Sequence, residues 1–400
     1  MDRLLNEIME SSKLVMDAEA SSLLLYEAED GKLHFQVATG DKGKSMKQYS
    51  VDSGIGIAGW VAKHQKPLLI EDCYRDPRFS PEFDRRSHFK TKSMICVPLV
   101  RKGQLLGVIQ VINKKGPEVF QERDLTIFET LAAQCAIAIE NARLIELQIE
   151  SEALERELET AREIQQALLP AALPEYEDIE VAAQLIPAKQ VGGDYYNILK
   201  ISDSQSLFFI ADVTGKGIPA ALIVSTIYSC LNTYLGMKQL GFDLLTLVDG
   251  LNKVLLASTT ADKFVTGWLG LYDHDSRKLV SVNAGHNPPF VFKQGQTEPL
   301  ELQKGGMFLG AFEMPYETEE TQLHPGDVLV FFTDGVTEAW NEQGEEYEES
   351  RLTKVVHANR NRSATQILAM IQQDVDKHVG RAQQSDDFTC AVVKILPNQA

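Results

Sequence analysis

The fold of the second half of this chain is decided by residues 207–224, which read LFFIADVTGKGIPAALIV. The apolar run at 207–210 predicts a buried strand, and the run from Ala220 onward predicts a helix. Asp212 lies between them with two glycines. A carboxylate at the end of a buried strand is poorly solvated and needs a partner, and glycines let the backbone approach that partner closely. The stretch therefore suits a metal ion or a phosphate, with a helix cap beside a flexible turn as the alternative.

The composition excludes several classes of function. The chain has 400 residues, 44% hydrophobic and 24% charged, which indicates a globular protein of two or three domains. A net charge of −18 argues against a nucleic-acid partner. We expect a cytoplasmic protein that does not associate with membranes, because no apolar run approaches a membrane span and residues 1–7 are no signal peptide. Five scattered cysteines without a CxxC pair disfavour a disulfide framework and a zinc site.

The first third has the pattern of a sensor domain. Residues 4–15 and 122–147 have helical apolar spacing, and short β-branched runs predict strands at 21–26, 32–39, 94–100 and 105–112. A further set of motifs resembles a GAF domain over residues 1–145: GIG at 54–56, GWV at 59–61, VPL at 97–99 and GVIQV at 107–111. The resemblance implies an antiparallel sheet with helices on one face and a small-molecule pocket on the other.

The ligand of this domain stays unassigned. Some GAF domains that bind cyclic nucleotides carry an Asn-Lys, Phe, Asp-Glu pattern. Asn113-Lys114, Phe120 and Asp124 match it, but Leu125 stands in place of the glutamate. This departure argues against a cyclic nucleotide, and we assign no cofactor-binding residue in the domain.

A helical connector follows the sensor. From Leu144 a heptad seam follows at alternating spacings of three and four, with the positions Leu147, Ser151, Leu154, Leu158, Ala161, Gln165 and Leu168. A short helix with such a seam is marginal alone in water, so we expect it to pair with its symmetry mate in a homodimer. The alternative is packing against a domain of the same chain. The expected domains are 1–143 (sensor), 144–170 (helical linker) and 171–400 (the domain with the acidic residues, described next).

The second half carries acidic residues at strand ends and turns. Asp194 and Asp212 lie beside glycines, Asp334 follows an apolar strand, and Asp386-Asp387 precede another. Like charges brought together need a cation. Oxygen ligands alone suit hard ions such as Mg²⁺ or Mn²⁺, although each aspartate by itself is more often a turn residue.

The order of these motifs resembles the PPM-type (type 2C) metal-dependent serine/threonine phosphatases, in particular their bacterial SpoIIE/RsbU-like branch. The motifs are AREIQQALLP at 161–170, GGDYY at 192–196, DVTGKG at 212–217, AGHNP at 284–288, TDG at 333–335 and DDFT at 386–389. The resemblance implies an α+β fold of two stacked antiparallel sheets flanked by helices. It further implies two ions, Mn²⁺ or Mg²⁺, bridged by Asp212. Asp194 and the Val213 carbonyl would serve one ion, and Asp334 with Asp386, or Asp387 if the doublet is slipped, the other.

Three departures leave part of the chemistry unassigned. Thr214 stands where eukaryotic members have a proposed general-acid histidine, and Asn197 where many bacterial relatives have a second aspartate. The phosphate-binding arginine upstream of the first acidic ligand is missing, and Lys189 and Gln190 lie in that region. His286 is a candidate acid, with stabilisation of its own turn as the alternative.

The sequence thus predicts a sensor-regulated protein phosphatase acting on phosphoserine or phosphothreonine. By resemblance, its substrate is a STAS-domain anti-sigma-factor antagonist in a partner-switching pathway. The alternatives are a GAF-regulated scaffold that binds such a partner without hydrolysis, and a receptor whose phosphatase is off in the isolated protein. The intact set of aspartates, with Asp212 and Asp334 as the presumed catalytic centre, favours the enzyme.

Overall fold

The computed structural model of the chain describes residues 2–38, 49–87, 89–236, 242–260 and 262–397. Its contacts divide the chain into two compact units, Met1–Ala153 and Leu154–Ala400. Thr39, the expected end of one strand, lies outside the described residues. The three-part division at 143 and 170 stays a prediction.

The first unit is built on one antiparallel sheet, whose described strands follow the order β3-β2-β1-β6-β5-β4. Its elements are α1 Asp2–Val15, β1 Ala18–Glu27, β2 Lys32–Ala38, β3 Ser50–Asp52, α2 Gly56–His64, β4 Leu68–Ile70, α3 Glu82–Ser87, β5 Met94–Arg101 and β6 Gln104–Lys114. The described part of the segment 72–92 contains α3 and a 3-10 turn, Cys73–Arg75.

Both faces of this sheet are covered by helices. One face packs against Leu5 and Met9 of α1 and against Phe128 of the helix that follows the sheet. The opposite face packs against Ile57 and Val61 of α2. The expectation of helices on one face only is therefore wrong, because α2 also carries an apolar side that needs cover.

A 45-residue helix, α4, runs from Glu122 to Gln166. It extends the helix expected at 122–147 through most of the predicted linker. The upstream seam is exposed at Leu144, Leu147 and Leu154, with 57%, 55% and 55% of their surface accessible. Just beyond the helix, Leu168 packs against the core of the second unit. Packing within the same chain therefore holds at Leu168, and the homodimer stays a prediction for the exposed part of the seam.

The second unit contains two stacked sheets, ordered β14-β11-β10-β9-β8 with β15 beside β11, and β13-β12-β16-β17-β7. Its strands are β7 Ile179–Ile186, β8 Asp194–Lys200, β9 Gln205–Val213, β10 Val265–Asp273, β11 Lys278–Ala284, β12 Phe290–Phe292, β13 Leu300–Glu301, β14 Gly305–Gly306, β15 Glu319–Gln322, β16 Val328–Phe332 and β17 Phe388–Ile395. Its helices are α5 Ile218–Gly236, α6 Leu244–Ser258, α7 Asp334–Thr337, α8 Glu349–Asn359 and α9 Ala364–Val379. The pairing is antiparallel as expected, except for a short parallel pair between β11 and β14.

Strand alternation sorts the side chains into layers. Along β9, Leu207 and Phe209 face the core under α5 and α6, whereas Phe208 and Ile210 face the core between the sheets. In the other sheet, β16 and β17 send Leu329, Phe331, Ala391 and Val393 into that same central core, and their alternate residues pack under α8 and α9. Because the side-chain period of a strand is two, the residue at each strand end has a predictable face.

One expectation about apolar runs is wrong. Helix α5 is 19 residues long and, by length and composition, apolar enough to cross a membrane. Its buried residues, among them Ala220, Ile223 and Ile227, belong to the core beneath the first of the stacked sheets. In the structure 28% of this apolar window is buried, and its buried residues pack against that core.

Candidate metal centre

The first two acidic residues face each other across paired strands. Asp194 opens β8 and lies opposite Asp212 near the end of β9. Asp212 has the same strand parity as Ile210, and Asp194 the same as Ile198, so both point toward the space between the sheets. The two carboxyl groups are close enough to interact, because the charge of Asp212 contributes to the raised pKa of Asp194.

The other sheet brings the remaining acidic residues to the same edge. Asp334 follows β16 at the start of α7, and Asp386 precedes β17. Both act electrostatically on Asp212. Asp386 also binds Lys216, whose Nζ lies 2.8 Å from its Oδ2. The structure thus brings together Asp194, Asp212, Asp334 and Asp386, which lie up to 192 positions apart in the chain (386 − 194).

Asp387 differs from its neighbour because both of its oxygens are engaged by backbone N–H groups. Oδ1 accepts a hydrogen bond from the Ala188 N–H at 2.8 Å, and Oδ2 accepts one from the Gly193 N–H at 2.9 Å. A Cβ at Gly192 would lie 2.1 Å from Asp387 Oδ2. Asp387 therefore holds the loop that leads into Asp194, and this loop needs a glycine at 192 to let the carboxylate approach.

Two threonine hydroxyls orient Asp194. Thr333 Oγ1 donates to its Oδ2 at 2.7 Å, and Thr389 Oγ1 donates to the same oxygen. Both threonines are completely buried, at the ends of β16 and β17. The second sheet therefore positions a carboxylate of the first. Sequence reasoning missed these two residues, although both stand inside motifs that it had singled out.

Burial and crowding raise the pKa values of these carboxyl groups. Burial, with the charges of Asp334 and Asp386, raises the pKa of Asp212 to about 7. The pKa of Asp194 lies well above its usual value because of burial and the charges of Asp212 and Asp387. Burial and the charge of Asp386 likewise raise the pKa of Asp334. A divalent cation would relieve this repulsion, and the converging carboxylate oxygens are the donors that hard ions prefer. The site therefore fits Mg²⁺ or Mn²⁺.

The side chains of His286 and Thr214 both form hydrogen bonds within the fold. His286 Nε2 lies 3.1 Å from the Phe332 carbonyl, which can only accept, so Nε2 donates and Nδ1 accepts from the Thr266 hydroxyl at 2.9 Å. Burial lowers the pKa of His286 to about 4. Thr214 exchanges hydrogen bonds with the backbone of Phe264. These contacts favour a structural role for His286 over that of a general acid.

The loop before Asp194 is also held by helix α4. Gln165 Nε2 donates to the Gly192 carbonyl at 2.8 Å, and the Gly192 N–H donates to Gln165 Oε1 at 3.0 Å. These paired bonds connect the last turn of α4 to the first acidic residue of the centre. Sequence analysis placed Gln165 in the seam of the linker and gave it no such contact.

In the first unit, the residues of the incomplete nucleotide pattern serve the fold. The Asn113 amide accepts hydrogen bonds from the Lys92 and Ser93 N–H groups and donates to Glu19 and the Lys90 carbonyl. Lys114 and Asp124 form an ion pair at 2.8 Å. These contacts give Asn113, Lys114 and Asp124 structural partners within the domain.

Comparison with known proteins agrees with both halves of this description. Residues 1–139 match the GAF domain family, and residues 202–396 match the family described as Stage II sporulation protein E (SpoIIE). Phosphoserine phosphatase RsbU of Bacillus subtilis is 33% identical over 242 residues, which cover 60% of this chain and 70% of RsbU. Protein IcfG of a Synechocystis species is 29% identical over 264 residues, which cover 59% of this chain and 41% of IcfG. The SiaA-PP2C domain of Pseudomonas aeruginosa has a similar fold, with a TM-score of 0.54 and 20% identity over 62% of this chain and 98% of that domain.

Proposed function

This chain belongs to the SpoIIE/RsbU-like branch of the PPM-type protein serine/threonine phosphatases, joined to a GAF domain, and from that premise we propose that its acidic centre hydrolyses phosphoserine or phosphothreonine on a partner protein with the help of two divalent ions. The observation that carries the proposal is the set of four carboxylates that meet at one edge of the two stacked sheets. Phosphatases of this family depend on divalent metal ions, and Mn²⁺ or Mg²⁺ suits the donors present.

Each carboxylate has a role that follows from its place. Asp212 would lie between the two ions, with Asp194 and the Val213 carbonyl serving one and Asp334 and Asp386 the other. Asp386 is favoured over Asp387, because both oxygens of Asp387 already accept backbone hydrogen bonds. The chemistry that such ions would supply is a water of lowered pKa that can act as the nucleophile. Lys216 contacts Asp386 and would help to hold that carboxylate in place.

The proposal is tested with phosphatase assays of the full chain. Hydrolysis of p-nitrophenyl phosphate and of a phosphoserine peptide is expected in Mn²⁺ or Mg²⁺ and is expected to stop in EDTA. Asp334→Asn keeps the shape of the ligand but removes its charge, and turnover should fall by about 10²-fold or more. Asp275→Asn removes the same charge from an exposed position of the second unit and should have no effect. Full activity in EDTA would instead favour the non-catalytic scaffold.

The substrate that we propose is a phosphorylated STAS-domain anti-sigma-factor antagonist, in a cytoplasmic partner-switching pathway. Its support is the family membership and the name of RsbU as a phosphoserine phosphatase. The kcat/KM for release of phosphate should be higher with such a purified phosphoprotein than with a peptide that carries the same phosphoserine. Equal rates would remove the argument for this partner.

We further propose that the chain forms a homodimer through helix α4 and that the sensor regulates the phosphatase through this helix. The exposed leucines of the upstream seam support the dimer, and the bonds of Gln165 to Gly192 support the regulation. The sequence has no Gly or Pro from Leu144 to Leu168, so the helix can transmit a change of pairing. Four Gly-Ser residues inserted after Glu155 should change the basal turnover of the full chain without changing its Mn²⁺ affinity. If turnover is unchanged, the helix is only a spacer and does not transmit regulation.

A further inference from the structure

A cleft in the second unit borders the acidic centre and has no role in the chemistry described so far. Its lining includes Arg162, Gln165, Leu185, Gln190, Gly192 and Asp194. Two of these residues come from the end of helix α4, and the others come from β7, from the loop that precedes β8, and from β8 itself. The cleft therefore extends from the last turns of α4 to the first carboxylate of the metal centre.

Arg162 contributes its side chain to the lining of this cleft. Its Nε is shielded from solvent and has no hydrogen-bond partner among the described residues. The side chain as a whole keeps 41% of its surface exposed, and its Nη1 lies 3.9 Å from Glu159 Oε2, near the outer limit of an ion pair. A buried N–H without an acceptor is costly, and a guanidinium presents its donors in a fork that matches a phosphate group. Because Nε itself is shielded, an anion in the cleft can reach only the exposed remainder of the Arg162 side chain.

Gln165 fixes where this guanidinium lies. It follows Arg162 by three positions, so both side chains share a face of the helix. The two hydrogen bonds between the Gln165 amide and Gly192 hold that face against the loop before Asp194. Arg162 is thereby placed on the side of the acidic centre, rather than being free to move with an exposed helix.

We propose that Arg162 binds the phosphoryl oxygens of the substrate in this cleft, and that Gln165 is the positioning residue for it. This inference rests on the proposed function, because it names the group that holds the phosphate beside the metal centre. The region just upstream of Asp194 offers only Lys189 and Gln190, and the structure brings an arginine to the same cleft from a different element. A cation here also offsets the repulsion between a phosphate dianion and the aspartates.

The test measures phosphate binding separately from turnover. Inorganic phosphate is titrated calorimetrically into the full chain at saturating Mn²⁺, and hydrolysis of p-nitrophenyl phosphate gives KM, kcat and the inhibition constant of phosphate. Arg162→Gln is expected to raise the Kd of phosphate roughly tenfold to hundredfold, because a charge-assisted, two-pronged contact is lost. Its Mn²⁺ affinity should stay that of the parent. Arg162→Lys should give an intermediate Kd, because lysine keeps the charge but not the fork.

A matched control and a double variant separate binding from a merely structural effect. Arg156→Gln removes the same charge from an exposed position of the same helix and should leave the phosphate Kd unchanged. Gln165→Ala should raise the phosphate Kd, and combining it with Arg162→Gln should add little further loss, because both act through one contact. Additive effects would contradict the positioning role.

The possible failures can be told apart. A parental phosphate Kd in Arg162→Gln, or an equal loss in Arg156→Gln, overturns the inference while leaving the phosphatase intact. If Arg162→Gln does not fold, a parental Kd in Arg162→Lys overturns it in the same way. Phosphate binding that depends on Arg162 in a chain without turnover would contradict the proposed function instead. If the parent binds no phosphate in Mn²⁺, the inference is wrong.

Discussion

Buried carboxylates have opposite surroundings in the two units of this protein. In the first unit, Asp124 accepts hydrogen bonds from Lys114 Nζ and the Gln121 N–H, both at 2.8 Å. Burial alone would raise its pKa, but these two partners outweigh burial and the pKa lies below its usual value. In the second unit, Asp194 and Asp212 face other carboxylates, and their pKa values are raised.

This difference separates a carboxylate with a partner in its own domain from the carboxylates of the proposed metal centre. Asp124 is satisfied within the chain, and its ion pair with Lys114 joins β6 to the start of helix α4. The carboxylates around Asp212 in the second unit repel one another, and either a proton or a bound cation relieves that repulsion. A buried acid with an internal partner stabilises a fold, whereas buried acids that repel one another mark a functional centre.

The largest expected effect comes from removing one charge in each unit. Asp212→Asn should lower kcat by about 10²–10³-fold through loss of metal binding, while leaving the metal-free protein at least as stable as the parent. Asp124→Asn should leave kcat unchanged but lower the free energy of unfolding by roughly 2–4 kcal/mol, because Lys114 is left buried without its partner. Steady-state assays and calorimetry of both full-length variants check this; a similar loss of stability in both variants would break the comparison.

A second prediction contrasts the exposed seam of helix α4 with its packed end. Replacing Leu154 and Leu158 together by Glu would bury unpaired charge in a dimer interface and should cost several kcal/mol of association free energy. Sedimentation should then show a monomer where the parent is a dimer. Glu150→Gln, at an exposed position outside the seam, is the control. If the double variant stays dimeric, the dimer forms elsewhere.

The raised pKa of Asp212 predicts how the stability of the metal-free protein depends on pH. The pKa of Asp212 is about 7 in the folded protein and has an ordinary value of 3.8. Protonation of Asp212 therefore contributes fully to the free energy of unfolding below about pH 3.8, and this contribution is lost as the pH rises through 7. Unfolding of the second unit in EDTA should therefore become easier between pH 5 and pH 8, by roughly 2–4 kcal/mol. Mn²⁺, or Asp212→Asn, should flatten this dependence. Thermal melting across the pH range measures it, and a melting temperature that rises with pH would contradict the assigned direction.

The smallest expected effect concerns the hydroxyl groups around Asp194. Thr333→Val keeps the shape but removes the donor at 2.7 Å from Asp194 Oδ2, so the carboxylate is less well oriented. Mn²⁺ affinity should fall by about tenfold, as measured by calorimetric titration. Thr321→Val makes the same buried exchange in β15 and should leave the affinity as in the parent. Equal affinities in both variants would show that orientation by Thr333 is not required.

The sequence by itself determined the family, the two kinds of domain and the acidic residues that the structure gathers. These depend on local signals: the alternation along β9, the glycines beside Asp194 and Asp212, and helical spacing without Gly or Pro in α4. The period of a strand even predicts on which side of its sheet Asp212 lies. The exception is α5, whose apolar composition is shared by membrane helices and core helices, so that only its packing distinguishes them.

Only the tertiary structure decided which contacts neighbouring or equivalent residues make. Asp386 and Asp387 are indistinguishable in the motif, and the structure separates their contacts, because Asp387 accepts a hydrogen bond from the N–H of Ala188, which lies 199 positions away in the chain. The same holds for Gln165, which bonds to Gly192, and for His286, whose two ring nitrogens are engaged by Thr266 and Phe332. The physical reason is that each role depends on a partner brought close by sheet stacking or helix docking. Such partners leave no periodic pattern in the sequence, because their spacing along the chain is set by the fold.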